Sequence, residues 1–265
     1  MPTRKPWTTR VTPFKIADNL YFAGNQAASA HLIDTGEGLI LIDTGYPQTL
    51  YLLIQSIWEL GFHPSDVKYI LHSHGHYDHL GGTRAFVELT GAKTFIGRHD
   101  ADFATGRFNA VFEEALGASY HGEFVPDVLL KDGDVVSLGD TRIDILETPG
   151  HTPGTISFFF DVAYGGRTYR AGMHGGVGLN GLTVDHMQKY GYSYECREQF
   201  LQGLERLKNE RVDIFIGNHT WNNDTLGKAE VLAAGGANPF INPLEWGLFL
   251  EKCKEDTIKL LEEEK

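Results

Sequence analysis

The chain is short of cysteine, of basic side chains and of long apolar runs, and each shortage closes off a class of protein. Its 265 residues include two cysteines, Cys196 and Cys253, too few for a disulfide framework and without zinc-knuckle spacing. They allow one bridge at most. Lys and Arg number 23 against 35 Asp and Glu, a formal charge of −12. That balance argues against a nucleic-acid partner, which needs cations concentrated on one face. No stretch reaches the roughly 18 consecutive apolar residues of a membrane span. The basic lead Met1–Trp7 has no apolar segment behind it, so no secretory signal is seen. The expectation is a cytoplasmic protein, or a secreted or periplasmic one if the sequence is a trimmed mature chain.

What is present points elsewhere. At 42% hydrophobic and 12% aromatic residues, the chain can bury a large core. The expectation is an α/β fold in a single domain over residues 1–265, closed by a helix at about 243–264. The densest chemistry lies in Leu71–Gly82, where His72, His74, His76, Asp78 and His79 fall within eight residues. Val67–Leu71 before it reads as a buried strand, and the apolar spacing from about Gly82 to Thr90 reads as a helix. Ligands bind at such strand-to-helix junctions in open α/β sheets.

Imidazole nitrogens and a carboxylate suit a borderline divalent cation, and zinc is the usual occupant. If the segment stays extended, side chains 74, 76 and 78 share one side and His79 points elsewhere, which suggests two metals. A plain His-rich surface loop is the bland alternative, and the ligand density between a strand and two glycines argues against it.

Other segments supply candidates of the same kind. Leu39–Gly45 reads as a strand apolar on both faces, hence central, and Asp43 near its end is expected to brace the loop through backbone N–H groups rather than ligate. Pro47 opens a helix to Gly61. Further strands are expected at 19–24, 28–34, 92–97, 135–138, 141–148, 155–160, 167–171 and 212–216, and a helix at 193–209. His151 sits in Pro149-Gly150-His151-Thr152-Pro153-Gly154, a rigid turn that fixes one imidazole. His219 follows a strand in Gly217-Asn218-His219, and His174 lies among glycines after another. The aromatic-rich stretch 98–125, with Phe103, Phe108, Phe112, Tyr120 and Phe124, is either a substrate-contacting flap or core packing. His72 is expected to be buried and hydrogen-bonded, and His31, His63, His99, His121 and His186 show no partner pattern. Both halves run strands, helix, strand, then histidine.

His-x-His-x-Asp-His, a later Pro-Gly-His, a late Gly-x-His and Leu41-Ile42-Asp43-Thr44-Gly45 together resemble the metallo-β-lactamase superfamily over roughly residues 15 to 225. The resemblance implies a four-layer αββα sandwich with the metals at one edge. It also implies two Zn2+ per chain, one on His74, His76 and His151, the other on Asp78, His79 and His219. Most hydrolases of that superfamily carry a bridging Asp after a strand; here the stretch is Ala171-Gly172-Met173-His174. With neither that Asp nor the cysteine some β-lactamases use, the sites resemble the β-lactamase subclass with three histidines at one zinc and Asp-His-His at the other. The approach through Gly61, Phe62, Pro64 and Asp66 also looks like that subclass.

The expected activity is hydrolysis of a cyclic amide by a hydroxide held between the metals, since zinc brings the pKa of bound water from about 15.7 towards 7. Asp78 would orient that hydroxide, and His174 is an extra ligand, an outer donor or a substrate contact. The substrate would be a small molecule; the sequence does not set the oligomeric state. Alternatives are a lactone, ester or thioester hydrolase, a metal-binding protein without catalysis, and a diiron oxidoreductase. The last needs a Glu where His76 stands and an Asp near Met173 or His174.

Overall fold

The computed structural model describes residues 3–108 and 120–264. Among them, twelve strands pair into two sheets. The first runs β1 (Phe14–Ala17), β2 (Leu20–Phe22), β3 (His31–Asp34), β4 (Leu39–Ile42), β5 (Val67–Leu71), β6 (Lys93–Gly97) and β7 (Val128–Leu130), side by side in chain order. The second holds β8 (Val135–Leu138), β9 (Thr141–Glu147), β10 (Ile156–Tyr164), β11 (Arg167–Met173) and β12 (Ile214–Phe215), again in order. The helices described are α1 (Leu50–Glu59), α2 (Tyr77–Leu80), α3 (Thr83–Thr90), α4 (Ala101–Ala104), α5 (Val184–Tyr190), α6 (Glu195–Leu207), α7 (Thr225–Ala233) and α8 (Glu245–Glu263).

Both sheets begin antiparallel and turn parallel where helices intervene, at β4–β5 and at β11–β12. A parallel neighbour requires a crossover, and α1 supplies the first while α5 and α6 supply the second. The repeated order noticed in the sequence is therefore a repeat of topology. In each half, the strand after the crossover delivers histidines to the same edge.

The layers follow from strand periodicity. Along β4, Ile40 and Ile42 enter the core between the sheets, while Leu39 and Leu41 pack outward with Leu53 and Ile57 of α1 and Phe86 of α3. Along β10, Phe158 and Phe160 join the central core, and Phe159 packs the other way against Phe200, Leu204 and Trp246 of α6 and α8. The result is the αββα sandwich. Phe158 is fully buried, so Phe158→Ala would remove about 3–5 kcal/mol of stability.

β4 is the fourth strand of seven, as its two apolar faces require. Besides α2, four elements escaped the sequence reading. β1 and β7 are only four and three residues long, α5 is a short segment between glycines, and α7 has Gly227 inside it and buries only Thr225. Cys196 and Cys253 are both buried and free, so the bridge does not form. Of the aromatic-rich stretch, Phe112 lies outside the described residues, whereas Phe103, Tyr120 and Phe124 pack into a core cluster with Tyr77. Among the described residues no helix is long and apolar enough to cross a membrane.

Candidate metal centre

The loops that follow β5, β9, β11 and β12 meet at one edge of the sandwich and carry every candidate ligand. The 74–79 segment does not stay extended, which corrects the period-two expectation. After His76 the amides of His79 and Leu80 bond back to the His76 carbonyl, at 3.0 and 3.1 Å, and open the single turn of α2. The chain beyond β5 has to reverse towards α3, and a helical turn satisfies those amides where no strand neighbour exists. Asp78 is thereby swung away from His74 and His76 and onto the side of His79.

Two groups result. His74, His76 and His151 form one, and Asp78, His79 and His219 the other; within each, the ligand atoms lie within 4.8 Å of one another. In the first, His74 Nε2 stands 3.1 Å from His76 Nδ1 and 3.2 Å from His151 Nε2. In the second, His79 Nε2 stands 3.3 Å from His219 Nε2, and Asp78 Oδ2 is 3.5 and 3.7 Å from those two nitrogens.

The outer ring nitrogens of four of these histidines constrain the close approaches. His74 Nδ1 donates to the Gly175 carbonyl at 2.8 Å and His151 Nδ1 to the Gly178 carbonyl at 2.6 Å. His79 Nδ1 donates to Asp43 Oδ2 at 2.8 Å, and His219 Nδ1 to the Ala27 carbonyl at 2.6 Å. A neutral imidazole carries one N–H, so each inner Nε2 presents a lone pair. Across the first group the lone pairs of His74 and His151 face each other, and across the second those of His79 and His219 do so when His79 is neutral. Such pairs repel unless a cation lies between them, and outer carbonyl and carboxylate partners are how metal-ligating histidines are held.

Electrostatics agrees with geometry. Burial, and then the neighbouring imidazoles, hold His74 and His76 well below the ordinary histidine value. Burial likewise pushes His151 down to about 4. His79 is the exception: burial opposes its protonation, but Asp78 and Asp43 outweigh it and raise its pKa. Burial disfavours the Asp78 carboxylate too, and His79 and His219 overcome that and lower its pKa.

Asp43 is the brace expected of it. Its carboxylate accepts from Ser73 N–H at 2.8 Å, from Ser73 Oγ–H at 2.6 Å and from His79. It does so at φ +60°, a left-handed conformation uncommon outside glycine that marks sites of stored strain. His72 is buried, with Nδ1 bonded to the Phe95 carbonyl and Nε2 to Thr83 Oγ1, and points away from the centre. His31 is also buried and donates to the Gly217 carbonyl.

Both groups open on a cavity of about 410 Å³, lined among others by Tyr46, His74, His76, Asp78, His151, Asn180, His219 and Trp221. The Trp221 indole lies flat on His219, with ring centroids 4.3 Å apart and planes 10° apart, and is 65% exposed at the mouth.

The profile of the metallo-beta-lactamase superfamily matches residues 23–163, more than half of the chain. The chain belongs to the metallo-β-lactamase superfamily. Solved superfamily structures are similar over nearly its whole length. BJP-1, a subclass B3 metallo-β-lactamase of Bradyrhizobium japonicum, has a TM-score of 0.89 at 28% identity, covering 100% of this chain and 98% of that one. FEZ-1, a metallo-β-lactamase from Legionella gormanii, has a TM-score of 0.88 at 30% identity, with 97% of each chain covered. An N-acyl homoserine lactonase from Bacillus thuringiensis is 27% identical over 159 residues, which is 51% of this chain and 59% of the lactonase. The chain thus spans less than two thirds of that curated relative.

Within this metallo-β-lactamase fold, the position after β11 is taken by His174. It lies outside both ligand groups and is not among the residues lining the cavity. Burial pushes it down to about 3; its Nδ1 accepts from Gly176 N–H at 3.2 Å and its ring packs 5.8 Å from Phe200. Sequence reasoning missed Asn218, whose Nδ2 donates to the Gly175 carbonyl that also orients His74. It also missed Asp100, buried beneath the first group. No local pattern announces either.

Proposed function

We propose that this chain is a zinc hydrolase holding two ions, which opens a cyclic amide in the manner of a β-lactamase. The observation that carries the reading is the division of six side chains into a His-His-His and an Asp-His-His group beside one cavity. Near-complete likeness to β-lactamases at 28 and 30% identity supports it over the lactonase, whose likeness covers 51% of the chain.

His74, His76 and His151 would hold one ion, and Asp78, His79 and His219 the other. The ions supply Lewis acidity and bring the pKa of bound water from about 15.7 towards 7. The protein supplies orientation. Asp78, facing the cavity with a side chain 20% exposed, accepts a hydrogen bond from the attacking water and fixes its approach. Burial and the nearby Asp78 keep the Tyr46 hydroxyl protonated, so it is a donor to substrate in the cavity. Exposed Asn180 offers a second donor at the rim. His174 acts through its loop, bracing the segment whose Gly175 and Gly178 carbonyls orient His74 and His151. Among the described residues no serine or cysteine lines the cavity, which supports direct attack by water over an acyl-enzyme.

The test is a chromogenic cephalosporin assayed beside lactone and thioester substrates with zinc added. Ring opening of the cephalosporin is expected, and is lost on chelation and in His76→Ala. Turnover of the lactone alone selects the second reading, to which the lactonase likeness points. A full cephalosporin rate after metal removal overturns the proposal.

A further inference from the structure

Asp100 is a fully buried carboxylate that lies outside both ligand groups. It ends the short turn Arg98–Asp100 after β6, in the first sheet, and its side chain runs beneath two loops of different origin. Oδ2 accepts from Gly75 N–H at 2.7 Å, and Gly75 separates His74 from His76. The same oxygen accepts from Thr152 Oγ–H at 2.6 Å, and Oδ1 accepts from Gly154 N–H at 2.6 Å. Those two residues follow His151 in the loop after β9, in the second sheet.

All three contacts are short, as charge-assisted hydrogen bonds are. Burial pushes Asp100 up to about 6, with the three donors working against that rise, so the carboxylate is ionised at neutral pH. The fit around it is tight on every side. A Cβ on Gly154 would stand 2.7 Å from Asp100 Cγ, and one on Gly75 would stand 2.6 Å from the Phe103 ring.

We propose that Asp100 is a positioning residue for the first metal group: by bonding Gly75 on one loop and Thr152 and Gly154 on the other, it sets the distance between the His74–His76 pair and His151. The inference rests on the reading of those three histidines as ligands of one ion. Asp78, His79 and His219 are not joined to this clamp. Their outer partners are Asp43 and the Ala27 carbonyl. Loss of Asp100 therefore weakens one ion and spares the other.

Asp100→Asn keeps the shape but offers one acceptor oxygen and one N–H2 group, so at least one of the three donors meets another donor. Thr152→Val probes the same link from the far side with the carboxylate in place, and serves if Asp100→Asn does not fold. Zinc affinity of the first group is read by chelator competition in a His219→Ala background, and of the second in a His151→Ala background. Asp100→Asn is expected to lower the first by about 10–100-fold and the second by less than about threefold. Thr152→Val should move the first in the same direction. In the Asp100→Asn/Thr152→Val double variant the losses should be less than additive, as for two ends of one contact. Equal loss at both groups, or loss at neither, overturns the proposal. An unsubstituted protein that binds no metal overturns the metal-centre reading beneath it.

Discussion

The substitution Asp43→Asn separates charge from shape at one end of the second group. Asn tolerates the left-handed backbone, so the φ of +60° is kept without new strain. The remaining oxygen can still accept from Ser73 N–H. The new amide nitrogen then occupies the place of Oδ2 and faces Ser73 Oγ and His79 Nδ1, at 2.6 and 2.8 Å. Ser73 can rotate its proton and accept. His79 can do so only by moving its proton from Nδ1 to Nε2, the atom that stands 3.3 Å from His219 Nε2. A protonated Nε2 cannot ligate. Outer partners of ligating histidines are worth about 10–100-fold in metal affinity, and a tautomer reversed outright belongs at or beyond the upper end. The metal-free fold loses one charged hydrogen bond, about 1.5–3 kcal/mol, or a few degrees of melting temperature. Competition with a chromophoric chelator should show one zinc bound as in the parent chain and one weakened about 100-fold or more. Two equivalents held within about threefold of parent affinity would refute the tautomer argument.

Acidification should release the ions in order. Metal binding needs neutral imidazoles, so affinity is lost as pH falls through the ligand's pKa. His79 is raised above 6.5, whereas His151 lies at about 4; equilibrium dialysis from high to low pH should therefore lose one equivalent first, and simultaneous release contradicts the assignment. Gly175→Ala would set a Cβ 1.9 Å from the Ile156 carbonyl oxygen and push aside the loop that orients His74. A cost of about 1–3 kcal/mol is expected, and parent-like melting with normal zinc uptake would disprove the close-packing account. Trp221→Ala removes the exposed indole at the cavity mouth; stacking of this kind is worth about 0.5–1.5 kcal/mol, so steady-state kinetics at saturating zinc should show KM raised severalfold with kcat little changed. An unaltered KM for every substrate turned over would remove Trp221 from recognition.

The parts of this architecture legible in the sequence are those set by neighbours along the chain. The apolar runs at Leu39–Ile42 and Phe158–Phe160 announce strands, and the first, apolar on both faces, is placed inside its sheet. Four histidines beside one aspartate announce a centre whatever the fold. Legibility ends where a contact joins distant residues. Asp100 reaches partners 25 and 52 positions away, and nothing in Arg98-His99-Asp100-Ala101 distinguishes it from a solvated turn. The 76–80 segment failed for a related reason. Whether it continues extended or coils depends on what its amides find after β5 ends, and that is decided by the surrounding loops.

Each ligand group draws from both sheets: residues 74, 76, 78 and 79 follow β5, while 151 and 219 follow β9 and β12. Neither half of the chain owns a complete group. Bound ions would therefore rivet the two halves along one rim, and the separation of the sheets becomes a quantity that the chemistry itself monitors. A change in the Phe158 or Ile42 layer that spread the halves apart would therefore be felt at both groups together.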